Sequence, residues 1–126
     1  MPSRYTLKIV TDFAAAHSLR DYSGSCSRLH GHNWKVEVEV MATTLDEAGM
    51  VLDFKHIRRA TREVIEQYDH QYLNELAPFD TLNPTAENIA AIIHRAVAEK
   101  LSDERISVCA TTIWETDRAC ARYTED

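Results

Sequence analysis

Residues 33–42 read NWKVEVEVMA, and the alternation is strict: Trp34, Val36, Val38 and Val40 fall on one side, Lys35, Glu37 and Glu39 on the other. A period of two with β-branched residues on one face marks a strand with one side buried and the other wet. Upstream, RYTLKIVTDF at 4–13 repeats the pattern, with Tyr5, Leu7, Ile9, Thr11 and Phe13 sharing a face. Two strands are expected, separated by a loop that carries Gly24, Ser25 and Cys26.

Beyond them, DEAG at 46–49 is a turn signal. Asp53 can cap a helix in which Phe54, Ile57, Ala60, Thr61, Val64, Ile65 and Tyr68 recur at helical spacing. A second helix follows LNPTAEN, capped by Asn83 or Thr85, with Ile89, Ile92, Ile93, Ala96, Val97 and Leu101 as its apolar stripe. RISVCATTIWE at 105–115 and ACARYT at 119–124 read as two closing strands. The order β-β-α-α-β-β predicts an α+β fold, a four-stranded antiparallel sheet with two helices on one face. Such a sheet has two open edges, which self-association would cover.

At 126 residues the chain is expected to form one domain, 1–126, with 44% hydrophobic and 27% charged residues placing it in the globular class. A net charge of −6 argues against nucleic acid or an anionic membrane as partner. No apolar run reaches the roughly 18–20 residues that cross a bilayer. The N-terminal residues lack the pattern of a secretory signal, so a cytoplasmic location is expected. Cys26, Cys109 and Cys120 are an odd, widely spaced set, which argues against a disulfide scaffold.

The chemistry concentrates around CSRLHGH at 26–32. If the second strand begins as early as Leu29, His30 and His32 point to the same side as Trp34. His17, in FAAAHSL at the end of the first strand, can supply a third imidazole across the ladder. Three histidines with an open position is the pattern of a catalytic zinc site, although spacing alone leaves iron, cobalt and manganese open. His56 and His94 lie in the helices among charged neighbours and are expected at the surface.

Cys26 sits in the polar stretch SGSCSR, where a nearby cation would raise its thiolate fraction. Cys109 reads as a small strand hydrophobe and Cys120 as a spectator. Asp69 and His70, in YDHQYLN, could form an acid/base unit, though adjacent side chains seldom meet directly. Glu115, after Ile113 and Trp114, is either a solvated strand-end carboxylate or a ligand anchor beside an aromatic wall.

In this order CSRLHGHNW, FAAAHSL, GMVLDF, YDHQYLN, NPTAEN and IWET resemble the 6-pyruvoyltetrahydropterin synthase superfamily. The short CxxxHGH interval and Ala86 point to its bacterial 6-carboxytetrahydropterin synthase branch, in the queuosine pathway. The resemblance, from about Tyr5 to Tyr123, implies the tunnelling fold, with trimers closing a β-barrel, often stacked as hexamers, and active sites between subunits. It implies one zinc ion per subunit on His17, His30 and His32, with proton transfer by Cys26, Asp69 and His70. It further implies that Glu115 grips the pterin and that Thr85 and Glu87 line its pocket.

The substrate so implied is 7,8-dihydroneopterin triphosphate, with the metal acidifying its side chain and triphosphate and acetaldehyde leaving. Arg28 is the first candidate to meet the triphosphate and Lys35 a poorer one. Three rivals are a 6-pyruvoyl product, a zinc hydrolase with Glu115 as base, and a non-catalytic zinc- or pterin-binding assembly protein.

Overall fold

The computed structural model describes residues 3–22, 24 and 27–126. Strand β1 spans Tyr5–His17 and β2 His30–Ala42; they pair antiparallel from Tyr5 opposite Ala42 to His17 opposite His30. Their alternation buries Ile9, Phe13, Trp34, Val36, Val38 and Val40 on one side, as the pattern requires. The turn after β2 closes on Asp46, whose Oδ1 accepts from the N–H groups of Ala48 and Met50.

Helix α1 covers Phe54–Ile65, with Asp53 capping the N–H of Lys55 at 2.9 Å. It buries Ile57, Ala60, Thr61, Val64 and Ile65, whereas Phe54, expected on the same stripe, is 47% exposed. Phe54 is the first helical residue after the cap, and the apolar face reaches the core one turn later, at Ile57. Helix α2 covers Ala86–Leu101; of the two caps considered, Thr85 is the one used, accepting from Asn88 N–H. It packs over β4, Ser107–Thr116, and β5, Ala119–Tyr123, with α1 beside it. Ile89, Ile93 and Val97 from α2 join the strand residues in one apolar cluster.

Two expectations are corrected. The sheet has five strands and is mixed, in the order β3-β1-β2-β4-β5, not four-stranded and antiparallel. The added strand β3 is only Gln71–Tyr72, parallel to Ala15 and Ala16. It arises because His70 adopts a left-handed backbone, φ 61°, which turns the chain leaving α1 back alongside β1. His70 N–H then donates to the Ala14 carbonyl at 2.5 Å. A two-residue pairing has no period for a sequence to reveal.

His94 is the second correction. It is buried, 2% exposed, with Nδ1 3.0 Å from Thr111 Oγ1 and its ring edge-on to Tyr123. Charged neighbours in sequence gave it a surface reading, but its position among Ala90, Ile93 and Val97 turns it toward the sheet. His56 is exposed, as expected. Cys109 is half-buried beside the irregular pairing between Glu39 and Val40, and Cys120 is exposed. No helix of the described residues is long and apolar enough to cross a membrane.

Candidate metal centre and substrate cleft

The register of β1 on β2 builds the site. His17 lies directly opposite His30, and Ala15 opposite His32, so three imidazoles gather at one end of the inner sheet face. The small Ala15 leaves room for both rings over Trp34, whose Nε1–H donates to the Ala15 carbonyl at 3.2 Å. The rings of His17 and His32 stand edge-on to that indole at 4.9 and 5.1 Å. From β4, Glu115 reaches in, placing Oε1 3.1 Å from His32 Nε2 and 3.6 Å from His17 Nε2. One donor atom from each of His17, His30, His32 and Glu115 falls within 4.8 Å of every other.

The hydrogen-bond partners of the rings indicate what this cluster can hold. His17 Nδ1 donates to the Pro84 carbonyl at 2.7 Å, and His30 Nδ1 donates to the Arg28 carbonyl at 2.6 Å. A carbonyl only accepts, so in each neutral ring the lone pair sits on Nε2. Those two Nε2 atoms are 3.0 Å apart, lone pair against lone pair. His32 Nε2 is buried without a hydrogen-bond partner, with Glu115 Oε1 3.1 Å away as its nearest charged group. Opposed lone pairs and an orphaned nitrogen are satisfied together by a cation, so the donor set fits a metal ion.

Burial holds the His17 and His32 imidazoles below their ordinary value, outweighing the Pro84 carbonyl and then Glu115 at His17, and Glu115 at His32. In both, burial favours the neutral, ligating form.

Two clefts among the described residues reach the histidines of the cluster. One, of about 360 Å³, is lined by His17, Arg20, Thr85, Glu87 and Glu115 among others. The second, of about 560 Å³, is lined by His32, Asn33, His70 and Tyr72 among others. His70 Nδ1 lies 3.0 Å from Asp69 Oδ1, a direct meeting that side chains adjacent in sequence seldom achieve. The left-handed φ of His70 permits it, and Ala14 N–H fixes the carboxylate by donating to Oδ1 at 2.9 Å. That bond, followed by the nearby His70, holds the Asp69 carboxyl below its ordinary value.

Of the expected site residues, His17, His30, His32 and Glu115 converge, and Thr85 and Glu87 line the same cleft as Glu115. Asp69 and His70 stand together, with His70 on the second cleft. Arg28 is exposed and meets the cluster through its carbonyl. Lys35 lies over the Trp114 ring on the opposite sheet face. Cys26 lies outside the described residues. Sequence reasoning missed Arg20, Asn83 and Pro84; the only signal was that Asn83 and Pro84 adjoin a helix cap.

An α+β fold that gathers three histidines and a glutamate at one end of its sheet has the donor set of a candidate metal-binding domain. Residues 6–126 match the 6-pyruvoyl tetrahydropterin synthase family, and the chain belongs to it. A relative from Archaeoglobus fulgidus, provisionally named 6-carboxy-5,6,7,8-tetrahydropterin synthase, is 40% identical over 86% of this chain and 90% of its own. The 6-carboxy-5,6,7,8-tetrahydropterin synthase of Synechocystis is 36% identical over 88% of this chain and 86% of its own. Among solved structures, 6-pyruvoyl tetrahydropterin synthase from Caenorhabditis elegans superposes with a TM-score of 0.88 at 25% identity, covering 98% and 97% of the two chains.

Proposed function

We propose that this chain is a zinc-dependent 6-carboxytetrahydropterin synthase acting on 7,8-dihydroneopterin triphosphate. The observation that carries the reading is the set of His17, His30 and His32 nitrogens converging beside Glu115 at a cleft, in a chain whose relatives bear that name. When bound, zinc supplies Lewis acidity toward the side-chain oxygens of the substrate.

The chain's own residues do the rest. Glu115 accepts the paired N–H groups of the pterin edge, with Thr85 and Glu87 lining the same cleft. His70, held by Asp69, exchanges one proton at the substrate side chain, and Cys26 exchanges another. Triphosphate leaves by elimination and the C1′–C2′ bond is cleaved, releasing acetaldehyde. The carboxyl carries one oxygen more than C1′ brought, so a water is consumed, and oxidation of C1′ is balanced by reduction of the dihydropterin ring together with the departing two-carbon unit. Arg28, exposed beside the loop, is the candidate to meet the triphosphate.

The same reading makes the assembly a homotrimer or homohexamer with shared active sites. Its support is the sheet's free edges: among the described residues, β1 has no strand partner on its β3 side along 5–13, and β5 pairs only with β4. The likeness to a 6-pyruvoyl enzyme keeps that product as the second reading. Incubation of the zinc-loaded protein with dihydroneopterin triphosphate decides between them: acetaldehyde and a 6-carboxypterin are expected, and a pyruvoyl product without acetaldehyde overturns the proposal.

A further inference from the structure

We infer that Asn74 and Asn83 are positioning residues of the metal centre, acting through the backbone that leaves β1. Strand β1 ends at His17, yet the chain beyond it is not left to water. Ser18 N–H donates to Asn74 Oδ1 at 2.9 Å, and Asn74 Nδ2 donates back to the Ser18 carbonyl at 2.8 Å. Arg20 is held the same way, its N–H donating to Asn83 Oδ1 at 2.9 Å and its carbonyl accepting from Asn83 Nδ2 at 3.1 Å. Each carboxamide reproduces the reciprocal pair that a residue on a neighbouring strand would make. The two clamped residues, i and i+2, are those an extended chain presents to one side.

The clamps lead to the ligand. Asn83 is itself fixed, its carbonyl accepting from Thr85 N–H and Asn88 Nδ2, both at 2.9 Å. The next carbonyl, that of Pro84, holds His17 Nδ1. The Arg20 guanidinium ties the same loop by donating to the carbonyls of Phe79 at 2.7 Å and Asn74 at 3.3 Å. His17 is thus gripped at its ring by the residue after Asn83 and at its C-terminal side by both amides. Neither asparagine is a ligand; together they set where His17 Nε2 points. Outer contacts of this kind typically change metal affinity about 10–100-fold.

This inference rests on the metal reading of the histidines, and its test separates the two. Metal-free full-length protein is titrated with Co²⁺ and followed by visible absorption, alongside urea unfolding, for the parent, Asn74→Ala, Asn83→Ala and Thr61→Val. Thr61 is buried in α1 with its hydroxyl on the Ile57 carbonyl, so its variant reports lost stability alone. Both asparagine variants are expected to bind Co²⁺ about 10–100-fold more weakly with an altered absorption envelope, while Thr61→Val binds as the parent does. Binding within about twofold of the parent in both asparagine variants overturns the inference. A parent that binds no Co²⁺ instead overturns the metal centre. Should the alanine variants not fold, Asn74→Asp and Asn83→Asp, which keep the acceptor and lose the donor, are judged by the same criterion.

Discussion

His17 and His30 meet through Nε2 atoms 3.0 Å apart, each having committed its Nδ1 hydrogen to a carbonyl. Without a cation this contact opposes two lone pairs, and with one it becomes a chelate. Stripping divalent ions with a chelator is therefore expected to lower the thermal midpoint. Zinc at a hundredfold excess over its Kd should add about 2.7 kcal/mol of stability to the metal-free protein. Scanning calorimetry with and without zinc checks this, and midpoints unaffected by either treatment would contradict it.

Glu115 lies close enough to His32 to ligate, yet it also lines the cleft with Thr85 and Glu87. In its proposed role as the pterin's anchor it accepts two N–H groups, which an amide does poorly. Glu115→Gln should cut kcat/KM by about 10²-fold or more and leave metal content intact. Loss of bound zinc from this variant, measured by metal analysis, would show a ligand instead.

Asp69→Asn offers a clean separation of structure from chemistry. The amide oxygen can still accept from Ala14 N–H, so the turn into β3 should hold. The charge facing His70 Nδ1 is gone, and kcat should fall about 10²-fold or more with a small change in KM. A parallel loss is expected for Cys26→Ala. Wild-type turnover in the cysteine variant would favour hydrolysis by metal-bound water.

About two layers of this protein were legible in the sequence, and each gap has a physical reason. Alternation at 33–42 and helical spacing at 54–68 located the main elements, because burial imposes a period there. His30 and His32 could be placed on the face of Trp34 by parity alone. The parallel pairing of Gln71 and Tyr72 could not, since it depends on one backbone angle at His70. The asparagine clamps were equally hidden, being side chain-to-backbone bonds across more than fifty residues of sequence.

The misread His94 gives a pH prediction. Burial holds its imidazole below the ordinary 6.5; neighbouring Arg95 acts in the same sense and Glu125 opposes, while Thr111 and Tyr123 face it from the sheet. Below that value the unfolded chain takes up a proton that the folded chain resists, so stability is undiminished above about pH 6.5 and falls as the pH drops. His94→Gln removes this share while His17 and His32 keep theirs. Its urea midpoint should fall less than the parent's between about pH 7.5 and 5.5, and parallel curves would refute the assignment.

The left-handed residue that ends the turn after α1 also governs how the proposed acid/base pair can be dissected. With φ at 61°, position 70 suits asparagine or glycine and resists β-branched side chains. Replacing His70 by valine would misdirect the chain before any chemistry was lost, and the resulting inactivity would be credited to the wrong cause. Asparagine there keeps the bend and removes the imidazole, so a His70→Asn protein whose β3 pairing survives isolates the ring's own contribution to turnover.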